Sequence, residues 1–211
     1  MKSLKLEINS FNNMSISDYE KIYSLKDNMT DAIDYEIELL SVLCNCSVDD
    51  ILDLPIHEYQ RLRNEAQFIA VFPDIKPKCP EKININGHKY VLTKDVSKIT
   101  TAAYIDFQSY LKMENNTVYV LSCFLIPEGK TYNEGYNIED VISDIKTLDI
   151  ITALEICFFF ISTYLNLTKG IVRYLESEIK KQMKQTKDKE IKKKMKEALK
   201  QMHSVANGVG F

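Results

Sequence analysis

The sequence predicts an α+β fold that is mainly α: a helical domain with one small β-hairpin and a long, amphipathic, basic C-terminal helix. Three observations carry that prediction. Apolar residues recur at three- and four-residue steps over most of the chain, the spacing of a helix with one buried stripe. One pair of short apolar runs flanks Asn86-Gly87, a dipeptide that tolerates the positive φ of a tight hairpin turn. The charge is also lopsided: Lys169 to Met202 holds 12 Lys and Arg against 5 Asp and Glu, net +7, leaving 15 against 25 elsewhere, net −10.

With 211 residues, 45% of them hydrophobic, the chain can bury one substantial core. The expected organisation is a mainly helical globular domain over 1–168, with the hairpin near 83–92, and a basic helical extension with a flexible tail over 169–211. Met1-Lys2-Ser3-Leu4-Lys5-Leu6-Glu7 lacks the basic-then-apolar layout of a secretory leader, so secretion is not expected. The five cysteines, Cys44, Cys46, Cys79, Cys123 and Cys157, are odd in number and fit reduced thiols in a reducing compartment. The most apolar stretch, Ile150 to Leu167, carries Glu155 and several polar residues, so it reads as a buried helix rather than a membrane span.

Along the chain, alternating Leu4, Leu6 and Ile8 suggest a strand over Lys5 to Phe11, and Ser17-Asp18-Tyr19-Glu20 has capping-box spacing for a helix start. Ile33, Ile37, Leu40 and Leu43 predict a helix from Asp31 to Cys44. Ser47 caps a short helix that must end before Pro55, and Ile56 to Ala70 forms the next, with Tyr59, Leu62, Ala66 and Ile69 as its stripe. Phe72 to Pro80 reads as an extended linker, followed by hairpin strands Ile83-Asn84-Ile85 and Tyr90-Val91-Leu92.

Thr100 or Thr101 caps a helix through Tyr110. The buried run Val118 to Ile126 reads as helix, with strand as the alternative. Glu128 to Asn137 is a loop, Ile138 to Leu148 a helix, and Asp149 caps the apolar helix to Leu167, with Gly170 permitting a break before Ile171 to Met202. In that last helix the apolar stripe passes through Ile179 and Met183, then Ile191, Met195 and Leu199. The wholly polar Lys184 to Glu190 separates the two sets, so the distal half can pair with something else. The tail Asn207 to Phe211 is expected to be mobile unless bound.

Catalytic and cofactor signals are scarce. The six glycines form no phosphate-binding spacing. Cys44 and Cys46 have no second pair or histidine cluster near them, so incidental thiols outweigh a zinc site. His57, His88 and His203 read as surface or capping residues, and Glu36, Glu38, Asp49, Asp50, Glu139, Asp140 and Asp144 as helix-start or solvated acids. Glu155, within its apolar helix, reads as a hydrogen-bonded or boundary-facing acid. The lysines Lys192, Lys193 and Lys194 could meet phosphates, but one arginine, interspersed acids and few aromatics favour a solvated or protein-docking face.

Three stretches together carry a resemblance: Tyr35-Glu36-Ile37-Glu38-Leu39-Leu40-Ser41-Val42-Leu43 with Asp53-Leu54-Pro55-Ile56-His57-Glu58-Tyr59; Ile85-Asn86-Gly87-His88-Lys89-Tyr90; and Ile99-Thr100-Thr101-Ala102-Ala103-Tyr104-Ile105-Asp106-Phe107. Over roughly residues 17–165 the chain resembles small proteins of the tail and virion gene clusters of tailed bacteriophages, crAss-like phages included, described as tail-assembly-chaperone-like. The third stretch departs from that pattern, since the family usually carries a glycine where Ala102 or Ala103 stands, and the basic extension after Leu167 departs from shorter versions.

The resemblance implies protein binding without enzyme activity or cofactor. The implied partners are portal, tail or tail-assembly proteins or a homo-oligomer, in the virion or in host cytoplasm during assembly, with no membrane. The residues expected at the interface are Ile179, Met183, Ile191, Met195, Leu199, Lys192, Lys193 and Lys194. The alternative is a nucleic-acid-binding or DNA-ejection accessory using the Lys-rich helix.

Overall fold

The computed structural model describes residues 4–95, 98–113, 116–186 and 188–208. The chain divides into two compact units, Met1–Phe159 and Phe160–Phe211. The fold is mainly helical, with a small antiparallel sheet and a long C-terminal helix, the α+β class that the sequence predicts.

In the first unit, helices α1 (Ile16–Asn28), α2 (Ala32–Cys44), α3 (Val48–Leu52) and α4 (Ile56–Glu65) precede the hairpin. Each of the first three begins at a side chain that satisfies orphan backbone donors: Ser15, Asp31 and Ser47. For α1 the box is Ser15 with Asp18, two residues before the predicted Ser17 and Glu20 pairing. The earlier start follows from the hydrophobic side chains, because it places Met14 and Ile16 in the core with no exposed surface. Asn45, at φ 50, closes α2 in the left-handed conformation, and its N–H reaches the carbonyls of Ser41 and Val42.

No strand forms over Lys5 to Phe11. Leu6 and Ile8 are buried as their alternation requires, but the N–H groups of Glu7 and Ile8 both donate to one acceptor, the Leu43 carbonyl at the end of α2, at 2.9 and 3.0 Å. The segment therefore satisfies a helix terminus instead of joining a ladder. The predicted helix Ile56 to Ala70 changes winding partway, with a 3₁₀ turn over Ala66–Ala70. Phe72 to Pro80 has no regular structure, as its prolines require.

Strands β1 (Lys82–Ile85) and β2 (His88–Leu92) pair with Ile85 opposite His88, joined by Asn86 and Gly87 at φ 53 and 85. Two positive φ values make this the hairpin turn whose twist matches the strands. Helices α5 (Thr101–Tyr110, capped by Thr100) and α6 (Thr117–Ser122) follow, and then β3 (Leu125–Pro127) pairs antiparallel with β2. The run Val118 to Ile126 is thus both helix and strand. Val118, Val120, Leu121, Cys123, Phe124 and Leu125 are all buried, so apolarity alone did not distinguish the two halves. Pro127 ends the strand at the sheet's edge, where its missing N–H is tolerated.

Helix α7 (Ile138–Lys146) leads to α8, a single helix from Ile150 to Gln185. The two ends of the first unit are tied by reciprocal bonds: the Ile16 N–H donates to Leu148 at 3.0 Å and the Ile150 N–H to Met14 at 2.8 Å. Ile150, Ala153, Ile156 and Cys157 supply α8's part of the core, alongside Leu40, Leu43, Leu62, Phe107, Phe124 and Ile145. Phe107 and Phe124 meet edge to face, with ring centroids 5.1 Å apart.

Gly170 does not break α8. With no other break signal beside it, one glycine costs only about 1 kcal/mol relative to alanine, which the flanking turns absorb. Winding stops instead in the polar stretch after Gln185 and resumes as α9 (Lys189–Gly208), where Asp188 accepts from the Glu190 and Ile191 N–H groups. Residues 209–211 of the predicted tail lie outside the described residues, while Asn207 and Gly208 belong to α9.

Candidate functional site

Three features of the described residues combine polar chemistry or exposed apolar surface. The first is a polar cluster between the hairpin and α7. Asp144, 8% exposed, accepts from Tyr90 Oη at 2.6 Å and from Asn86 Nδ2 at 3.0 Å, and its carboxylate lies 2.6 Å from His88 Nδ1. Asn86 also donates to Thr147 Oγ1 at 3.0 Å. Burial acts to raise the Asp144 carboxyl, and the bonds from Tyr90, Asn86 and His88 more than offset it, holding the group below the usual carboxylate range. Tyr90 is pushed up, by burial first and then by its bond to Asp144.

A histidine oriented by a carboxylate is half of a nucleophile-activating arrangement, which needs a hydroxyl or thiol within hydrogen-bond reach of the free ring nitrogen. The hydroxyls lining the cleft of about 480 Å³ beside His88 are those of Tyr90, which donates to Asp144, and Tyr136, which accepts from the Asn133 N–H at 3.1 Å. The bonds of Asp144 to Asn86, His88 and Tyr90 clamp the hairpin to α7. The sequence reading placed Asp144 among solvated acids, which the structure corrects: it lies on the buried face with Val141 and Ile145. His88 and Tyr90, two apart on one strand, point to the same side by the period of the strand, and this was the available signal.

The second feature is an aromatic cleft of about 970 Å³ between α1, α2, the end of α4 and the 3₁₀ turn. Its walls include Tyr19, Tyr23, Tyr35, Leu39, Ile69 and Phe72. The rings are mutually packed: Phe11 and Phe72 lie 4.9 Å apart, Tyr19 and Phe72 5.9 Å, and Tyr19 and Tyr23 6.2 Å. Tyr23 and Phe72 are nonetheless 49% and 41% exposed. On the rim, Glu36 accepts from Tyr59 Oη and from Arg63 Nε, both at 2.8 Å. The stretch from Asp31 to Asp53 carries seven acids, Asp31, Asp34, Glu36, Glu38, Asp49, Asp50 and Asp53, and neither lysine nor arginine. This cleft was not foreseen, because its residues come from separate helices whose stripes each read as ordinary core.

The third is the apolar stripe of α8 and α9. From Ile161 onward no described side chain is buried. Leu167, Ile171, Tyr174, Leu175 and Ile191 are 45, 51, 66, 42 and 44% exposed, and Ile179, Met183, Met195 and Leu199 are half-buried. Lys193 and Lys194 are exposed and Lys192 half-exposed. The predicted interface residues thus share the faces of two helices, Ile179 and Met183 on α8 and the remainder on α9. Pairs such as Lys181 with Glu178 at 3.2 Å support the helices locally. By length and composition α8 could also cross a membrane, with a stretch of mean hydropathy 1.8 that is 28% buried. The core helix of a folded domain passes the same test, and the first turns of α8 do close the core of the first unit.

Among the described residues no group of three or more His, Cys, Asp or Glu could hold a metal ion. All five cysteines are free, and burial pushes Cys44, Cys123 and Cys157 up to about 12. Glu155 is half-buried, and its backbone carbonyl accepts from the Lys78 N–H at 3.0 Å, tying the proline-rich segment to α8. Comparison with protein families, with curated proteins and with solved structures gives no match.

Proposed function

We propose that this chain acts by binding other proteins, as a component or an assembly factor of a tailed-bacteriophage particle, without a catalytic step or cofactor. The observation that carries the binding reading is the unburied stripe of α8 and α9: amphipathic helices gain most of their stability from packing an apolar face, and here that face has no core of its own. The phage context rests on the sequence resemblance over residues 17–165. Its place of action is then the virion or the host cytoplasm during assembly.

Mass spectrometry of purified mature particles of the source phage tests this. Detection at a fixed ratio to the major capsid protein makes the chain a virion component; abundance in infected cells without detection in particles makes it an assembly factor. Absence from both particles and assembly intermediates overturns the proposal. The second reading, DNA binding through the exposed lysines of α9, predicts affinity that falls steeply with salt and is lost on truncation after Gln185.

A further inference from the structure

Resting on the protein-binding reading, we infer that the aromatic cleft and acidic α2 face of one copy receive the basic helix α9 of a second copy, so that the chain associates head to tail. Both halves of that contact are present on one polypeptide. The receiving surface is an apolar cleft of about 970 Å³ lined in part by Asp31 and Glu36, two of the seven acids in a stretch, Asp31 to Asp53, that has no lysine or arginine. Asp34 and Glu38 lie one turn apart on α2, each preceding a cleft-lining residue, Tyr35 and Leu39, on the side of the helix beyond the cleft wall. The rim also carries Lys26 and Arg63, of which Arg63 is already paired with Glu36 at 2.8 Å.

The entering surface has matching form. On α9, Ile191, Met195 and Leu199 recur at four-residue steps and make one apolar arc, the anchor pattern of a helix laid in a groove. By helical geometry Lys192 and Lys194 border that arc on its two sides, so seating the arc in the cleft brings lysines to the acidic rim. The chain's charge follows the same division, with net +7 over 169–202 and −10 elsewhere. Because the donating and receiving surfaces differ, the contact is heterologous, and each added copy leaves one free cleft and one free helix.

The test uses the full chain and two charge-reversed forms, D34K/E38K and K192E/K194E, with circular dichroism to show that each is folded. In sedimentation velocity at low salt, the wild type is expected to grow in mass with concentration and to fall towards a single chain at high salt. Each double reversal weakens association at least about tenfold, since like charges then face one another. An equimolar mixture of the two forms is the deciding measurement. The intact helix of one fits the intact cleft of the other, and the acidic helix of the second meets the basic rim of the first with opposite charges, so both contacts are available and the mixture regains the growth in mass that each form alone has lost.

A wild-type chain that stays single at tens of micromolar at low salt overturns the inference, as does a mixture that behaves as the sum of its parts. That second outcome would mean that α9 meets its own chain, DNA or another virion protein. Detection of the chain in particles alongside a monomeric result would leave the protein-binding reading standing and remove only the self-association.

Discussion

Asp144 shows how much one buried carboxylate holds in place. Replacing it with alanine leaves the hydroxyl of Tyr90, a residue 2% exposed, without its acceptor, at a cost of about 1–3 kcal/mol. D144A is expected to lower Tm by several degrees, as calorimetry would register. Because the folded carboxyl sits below its ordinary value, its contribution is complete above the unfolded value of about 3.9 and is lost as pH falls through the lower folded value. The stability difference between wild type and D144N should therefore shrink between pH 5 and pH 2, estimates set by those reference values; urea midpoints that keep a constant difference would contradict it. Thiols give a second residue-level expectation. Cys123 and Cys157, buried and pushed up to about 12, should label with iodoacetamide only on unfolding, and the half-exposed Cys46 first.

At the scale of elements, two glycines make opposite predictions. Gly87 has φ 85 and open space where a Cβ would stand, so G87A costs about 1 kcal/mol through backbone strain alone. Gly170 is helical and equally unobstructed, so G170A should raise helicity and add about 0.5–1 kcal/mol to α8. Circular dichroism melts decide both. Most elements were legible in the sequence where a local cause sets them: Asn86-Gly87 makes the hairpin, Ser47 caps α3, and of the two threonines offered for α5 it is Thr100 that caps it. The departures have non-local causes. Leu6 and Ile8 alternate like a strand but find a helix end instead of a partner strand, and Leu125 pairs with Leu92 only because β2 is there to receive it. The cleft and the Asp144 clamp were hidden for the same reason, since each is assembled from residues far apart in sequence.

At the scale of the whole molecule, stability and binding surface occupy different stretches. All of the described buried hydrophobic residues lie at or before Phe160. Truncation after Gln185 should therefore leave Tm unchanged, while removing the helix expected to make contacts. A large fall in Tm would instead show that α9 contributes to the core fold.

The reciprocal bonds between Ile16 and Leu148 and between Ile150 and Met14 set an order of events during synthesis. The first strand of contacts made by the N-terminus cannot close until Ile150 has left the ribosome, so the early helices must wait, with apolar faces open, for roughly 130 further residues to be made. At about 5–20 residues per second that wait is roughly 7–26 s. The apolar stripe of α8 and α9 emerges after the residues of that body. A nascent chain thus has the residues of its body in hand before it exposes the helices that seek partners, so capture by a neighbour on the same polysome meets a body already able to close.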